Sequence, residues 1–199
     1  GNQASAAGDS STASTTGSLR AWLATNDSLG ATGASGGFSA GIVAAATDGT
    51  ARALSEATLL GIVKDCYVAG GNPSIFMVSP TVKQLMSQYM FGSSARIATP
   101  YKDAVGKSMM TAIGAVDIYV SDFGEIKIIP NRFQRDRDVF VLDKEMWEIA
   151  YLRPFHTNKL SKTGDAENRQ LLVDYGLRSK NEAASGVVAD VDHTTAMVA

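Results

Sequence analysis

Residues 147–190 read WEIAYLRPFHTNKLSKTGDAENRQLLVDYGLRSKNEAASGVVAD, and their patterning decides the fold class. Trp147, Ile149 and Tyr151 alternate with Glu148 and Ala150, and Leu171, Val173, Tyr175 and Leu177 alternate with Asp174, Gly176 and Arg178. Period-two alternation puts one set of side chains on one face, so each half predicts a strand with a buried apolar side. Leu172 interrupts the second pattern. Pro154 cannot donate to a ladder and is expected at a strand end. Between the strands, Lys162-Thr163-Gly164-Asp165 is turn chemistry. A short return strand is expected after Glu182. Arg153, Lys159, Lys162, Asp165, Glu167, Arg169, Arg178, Lys180 and Glu182 interleave both signs of charge. That mixture reads either as a solvated sheet face or as an intersubunit face whose charges set register and partner choice.

Composition bounds the rest. The 199 residues are 45% apolar and 19% charged, which is globular chemistry with enough chain for a real core in one large domain or two small ones. A net charge of −2 argues against a grip on duplex nucleic acid, which needs a surplus of Lys and Arg. No apolar run approaches the roughly 18 residues of a membrane span, and no secretory signal is present. The single cysteine, Cys66, excludes an internal disulfide and a thiolate cluster. It lies in an apolar helical pattern and reads as a buried structural thiol. The chain begins at Gly1, which reads as processing, truncation or part of a longer product.

The first 54 residues hold nine of the nineteen glycines and five charged side chains, and predict loop or weakly ordered connector. One short helix is expected there at Ser18–Asn26, with Ser18 as N-cap. A phosphate loop fails as a reading of the glycines, because no Gly-Lys-Ser/Thr follows them. Ser55 caps a predicted helix to about Ala69, with Leu59, Ile62, Val63 and Cys66 at helical spacing and Gly70-Gly71 as the stop. Ser74–Val78 is a short strand. Ser79-Pro80 opens a second helix that carries Val82, Leu85, Met86 and Tyr89 and ends near Gly92. Residues 93–112 read as loop. The methionines Met77, Met86, Met90, Met109 and Met110 read as core filling rather than soft-metal ligands. A hairpin follows, with Val116, Ile118, Val120, Ile126 and Ile128 expected on one buried face and Asp122-Phe123-Gly124 as a three-residue turn. Arg132–Asp138 is a dense charged loop, and Val139–Leu142 another strand.

Catalytic constellations are missing from this pattern. His156 and His193 lack metal-ligand partners at helical or hairpin spacing. No Gly-x-Ser-x-Gly elbow occurs, and paired carboxylates occur only within charge-balanced runs. Asp190, Asp192 and His193 cluster near the C-terminus and read as a frayed tail.

Several stretches, taken in order, resemble the major capsid proteins of tailed bacteriophages, in the group that includes the capsid protein of the podophage SU-ten. They are GAVDIYVSDFG at 114–124, IPNRFQR at 129–135, YLRPF at 151–155, KTGDAE at 162–167 with RQLLV at 169–173, NEAASGVVAD at 181–190 and the opening GNQAS at 1–5. The resemblance implies an α+β fold of the Hong Kong 97 type, with an N-terminal arm, an extended loop, a peripheral domain with a spine helix, and an axial domain. The arm, the loop and most of the spine helix would precede Gly1. On this mapping residues 1–54 are the end of the spine helix and a Gly/Ser-rich connector, 55–138 the axial domain, 139–181 peripheral-domain strands, and 182–199 a return to the axial domain and the tail. The implied function is a structural shell protein and not an enzyme. It would assemble with itself as hexamers and pentamers into an icosahedral or prolate shell around double-stranded DNA, in the virion, after assembly in the host cytoplasm. Portal, scaffold and decoration proteins are the implied further partners, DNA is touched only non-specifically, and neither cofactor nor membrane is implied. Arg132, Arg135, Arg137, Arg153, Glu167, Arg169 and Arg178 are the candidate intersubunit contacts. The alternative is a non-capsid binding module, or a small hydrolase with a site dispersed over loops.

Overall fold

The computed structural model describes residues 1–93, 99–102, 108–111, 117–162 and 164–198. In chain order the elements are α1 (Leu19–Trp22), β1 (Asn26–Ser28), β2 (Gly37–Ser39), β3 (Ile42–Ala44), α2 (Glu56–Val68), β4 (Ile75–Val78), α3 (Pro80–Ser93), β5 (Thr99–Lys102), β6 (Ser108–Thr111), β7 (Ile118–Ser121), β8 (Gly124–Pro130), β9 (Val139–Leu142), β10 (Trp147–Lys159), β11 (Arg169–Ser179) and β12 (Gly186–Val188). The class is α+β. Six strands form one mixed sheet in the order β1-β12-β9-β4-β8-β7, and β10-β11, β2-β3 and β5-β6 form two-stranded ribbons. The β5-β6 ribbon lies in the stretch expected to be loop. Val116, expected on the hairpin's buried face, lies outside the described residues.

One face of the sheet carries the helices. Leu59, Ile62, Val63 and Cys66 of α2 and Val82, Leu85 and Met86 of α3 pack on Phe76, Val78, Ile126, Ile128, Val139, Val141 and Val188. These are the helix positions that 3.6-residue spacing selects. Full burial of one such side chain contributes about 1.5–3 kcal/mol. Ser79 accepts from the Val82 N–H at 3.3 Å and so caps α3. α2 stops where Gly70 takes φ +87°, a conformation open to glycine at little cost. Cys66 is buried, and burial pushes its thiol up to about 12, so it is a structural thiol. The other face is covered over β9 and β12 by Leu19, Leu23 and Leu29.

The β7-β8 hairpin corrects one reading. Ser121 pairs with Gly124, so the turn has two residues, Asp122-Phe123, rather than three. One residue fewer in the turn inverts the parity of β7. Tyr119 pairs with Ile126 and faces the core, whereas Ile118 and Val120, expected inside, are 50% and 72% exposed. Ile126 and Ile128 are buried.

The N-terminal fifty residues also differ from expectation. No helix precedes Leu19, and α1 is a single turn capped by Ser18, which accepts from Ala21 N–H at 3.3 Å. The glycine-rich stretch folds closely. β2 pairs with β3, and β1 joins the sheet parallel to β12, across almost the whole chain. Val139–Leu142, grouped by sequence with the strands after it, pairs instead with β12 and β4 in the central sheet.

Candidate functional site

Two places collect the polar and apolar groups singled out above. The first is an internal anion cradle. The Asp190 carboxylate is 1% exposed and sits at φ +59°. It accepts from Gly30 N–H at 3.0 Å and Gly49 N–H at 2.9 Å, and pairs with Arg137 Nη2 at 2.8 Å. Backbone amides that converge on a carboxylate, with a guanidinium opposite, form a charge-assisted set. The glycines are required because a Cβ on Gly30 would meet the Thr50 carbonyl at 2.1 Å. Arg137 Nη2 also donates to Gly49 O at 2.5 Å. Beside it Arg135 grips Asp48 with two bonds, 2.8 and 2.9 Å, and Asp138 with its Nε at 2.8 Å. The hydrogen-bonded Arg135 holds the Asp48 carboxyl below the usual carboxylate range, and Asp48 in turn raises Arg135. Buried Arg20 reaches Asp138 at 3.8 Å. The cradle therefore fastens the N-terminal segment onto the loop before β9 and the chain after β12.

This network corrects one expectation. Asp190 is a keystone and not part of a frayed tail. Asp192 is half-buried and held by Thr194 and Thr195, whose hydroxyls take its pKa down to about 2. Arg135 and Arg137 form ion pairs within the chain, with side chains 28% and 37% exposed. Sequence reasoning missed Asp48 and Asp190 as partners, because pairs separated by 87 and 53 residues leave no periodic signal.

The second place is the β10-β11 hairpin. At about 3.3 Å per residue its thirteen-residue strand spans roughly 40 Å. Cross-strand pairs fix the faces. Trp147, Ile149 and Tyr151 share a face with Leu177, Tyr175, Val173 and Leu171, as the alternation predicts. Glu148–Arg178 and Arg153–Asp174 lie on the other face. Register shifts between Tyr151 and Arg153 and between Arg153 and His156 set Pro154 inside a bulged segment rather than at a strand end. The apolar face is not buried. Ile149, Tyr151, Leu171 and Tyr175 are 57, 54, 64 and 58% exposed, and no other element makes an extended contact with either strand among the described residues. Contiguous exposed apolar surface of this kind marks an interaction site.

The candidate charges of the hairpin are paired within it. Arg153 bonds Asp174, Arg178 bonds Glu148 at 2.9 Å, and Glu167 bonds both Arg169 at 3.1 Å and Lys159 at 3.2 Å. Arg132 is exposed in the loop after β8. The nearest approach to a polar pocket is a small cleft where Tyr89 and Tyr119 donate to the two oxygens of Glu56, at 2.8 and 2.7 Å. It ties α2, α3 and β7 together. Among the described residues no group of three or more His, Cys, Asp or Glu could hold a metal, and no described helix is long and apolar enough to cross a membrane.

Comparison with known proteins gives three findings. The family model described as SU10 major capsid protein matches residues 1–192. The major capsid protein of Escherichia phage Phieco32 is 26% identical over 137 residues, which is 67% of this chain and 37% of that protein. The chain thus spans little more than a third of the length of this curated relative. The holo-SrpI encapsulin complex of Synechococcus elongatus PCC 7942 matches with a TM-score of 0.44 at 14% identity, covering 72% of this chain and 52% of that one.

Proposed function

The chain belongs to the SU10 major capsid protein family, and from that premise we propose that it is a structural shell subunit with the Hong Kong 97-type fold. The observation that carries the reading is the uncovered apolar face of β10-β11. A sheet face of this kind is stable only under a second layer. In the proposed arrangement the six-stranded sheet with α2 and α3 is the axial domain, the hairpin belongs to the peripheral domain, and a spine helix covers Ile149, Tyr151, Leu171 and Tyr175. Copies meet as hexamers and pentamers and close an icosahedral or prolate shell around double-stranded DNA in the virion, assembled in the host cytoplasm. Portal, scaffold and decoration proteins dock on that shell. A net charge of −2 suits a container that does not grip its contents. Of the charged candidates, Arg132 is retained as an intersubunit contact. Arg153, Glu167, Arg169 and Arg178 contribute by re-pairing between copies, which sets register more than affinity.

Negative-stain electron microscopy of the intact gene product tests this. Closed shells, or rings of five and six, are expected. A monodisperse monomer under all conditions would overturn the reading. Tyr175→Lys should abolish shells and leave the circular dichroism spectrum unchanged.

A further inference from the structure

We propose that Asp48-Gly49 is a masked modification site: a peptide set to isomerise to isoaspartate, and held from doing so by Arg135 and Asp190, which grip its two reacting groups. This is a property of the single chain and does not need the shell reading above.

The hazard lies in the sequence. Asp48-Gly49 is the one Asp-Gly pair in the chain, and no Asn-Gly pair occurs. In such a pair the glycine amide nitrogen attacks the aspartate Cγ. A Cγ–N bond forms, a Cγ–O bond breaks, and the amide proton leaves with the carboxyl hydroxyl as water. Water then opens the cyclic imide. Where it cleaves the original peptide C–N bond, the main chain runs on through Cβ and Cγ and is longer by a carbon, with nothing oxidised or reduced. Glycine favours the attack because it has no side chain to shield the nitrogen.

The fold asks for this pair. A Cβ on Gly49 would lie 2.7 Å from the carbonyl oxygens of Gly30 and Ala31 and from the Gly33 nitrogen. Position 48 supplies the carboxylate on which Arg135 closes with both terminal nitrogens, at 2.8 and 2.9 Å.

The same contacts oppose each requirement of the reaction. Imide closure needs a neutral carboxyl, because its oxygen leaves as water. The Arg135 fork keeps Asp48 charged, and Asp138 holds that fork in place at 2.8 Å. Closure also needs a free nitrogen. Gly49 N–H is engaged by Asp190 Oδ1 at 2.9 Å. Asp190 is a poor base for that proton, because it is paired with Arg137 at 2.8 Å and accepts from Gly30 N–H at 3.0 Å. On either side the backbone is tied: Thr47 N–H donates to Ala34 O at 2.8 Å, and Thr50 N–H to Ala31 O at 2.8 Å. Burial is not the protection. The Asp48 side chain is 35% exposed, so the water that opens the imide is at hand. A reaction this slow follows the population in which the grip is open.

The test incubates the full gene product at neutral pH, below its unfolding transition. Isoaspartyl-methyltransferase labelling with peptide mapping reads isoaspartate at residue 48. Native protein should accumulate it at least about tenfold more slowly than the same chain held unfolded in urea. Equal rates would overturn the proposal. Arg135→Gln, shown to be folded by circular dichroism, should raise the native rate at least about fivefold. An unchanged rate in that folded variant would overturn it as well. Should Arg135→Gln not fold, Arg135→Lys takes its place: it keeps the charge and loses the two-bonded fork, and the same rise or its absence decides.

Discussion

Strand β8 of the six-stranded sheet and the β10-β11 hairpin are written in the same pattern, alternating apolar and polar residues, and meet opposite fates. Ile126 and Ile128 of β8, set between Glu125 and Lys127, lie in the core under the helices, 1% and 3% exposed. Ile149, Tyr151, Leu171 and Tyr175 on the hairpin, at the same period, stay more than half exposed. Alternation therefore states that a strand has an apolar face. It does not state where the second layer comes from. When neither the strand's neighbours nor the rest of the chain supplies that layer, the face is available to something else, and two strands alone are marginal in water.

The sharpest way to break this comparison is truncation on each side. Phe76→Ala should cost about 3–5 kcal/mol, and Tyr175→Ala less than about 1 kcal/mol, by urea unfolding of the chain. Comparable losses would mean that the hairpin is covered in solution. Charge gives the next contrast. Asp190→Asn uncouples a buried carboxylate from Arg137 and should cost about 3 kcal/mol, whereas Arg153→Gln on the exposed hairpin pair should cost less than about 1 kcal/mol. Thermal unfolding of both variants measures the difference. Tyr119→Phe removes one hydrogen bond to Glu56 and should cost about 1 kcal/mol.

The smallest effect is a pH dependence centred on the cluster of Glu56, Tyr89 and Tyr119. Burial, then the bond to Glu56, raises the Tyr119 pKa, and the bond to Glu56 raises that of Tyr89. A phenol whose folded pKa is raised stabilises the fold fully below its unfolded value of about 10. That contribution is lost as pH rises from there towards the folded value. Stability should therefore fall above about pH 10, and less steeply in Tyr119→Phe. Equal slopes in the two proteins would place the alkaline sensitivity elsewhere.

Local signals were readable where local chemistry decides. Helical spacing picks out Leu59, Ile62, Val63 and Cys66, Ser79-Pro80 marks the start of α3, and Leu171, Val173, Tyr175 and Leu177 do share one face. The misreadings have two causes. At Asp122-Phe123 a single residue in the turn decides which face of β7 is buried, and Gly124 fits either count. In the N-terminal fifty residues the deciding partners lie far along the chain: β12 for β1, Arg135 for Asp48, Asp190 for Gly30 and Gly49. Low hydropathy there says little, because the stretch is held chiefly by amides and charges. The exposed hairpin is the converse case, fully legible as strands and silent about what covers it.

The cradle around Asp190 reverses an engineer's intuition about where foreign peptide belongs. The glycine-rich stretch near the N-terminus looks permissive, yet Gly30, Gly36 and Gly49 each lie so close to backbone that an added Cβ would fall within 2.1 to 2.7 Å of a carbonyl oxygen. A graft there would dislodge the carboxylate on which three distant segments converge. The tip of the long hairpin is the better address: Gly164 has open space where a side chain would stand, and Asp165 beside it is exposed. A loop lengthened at that tip leaves the folded sheet undisturbed, and its tolerance in assembled particles would map which side of the shell the hairpin's end faces.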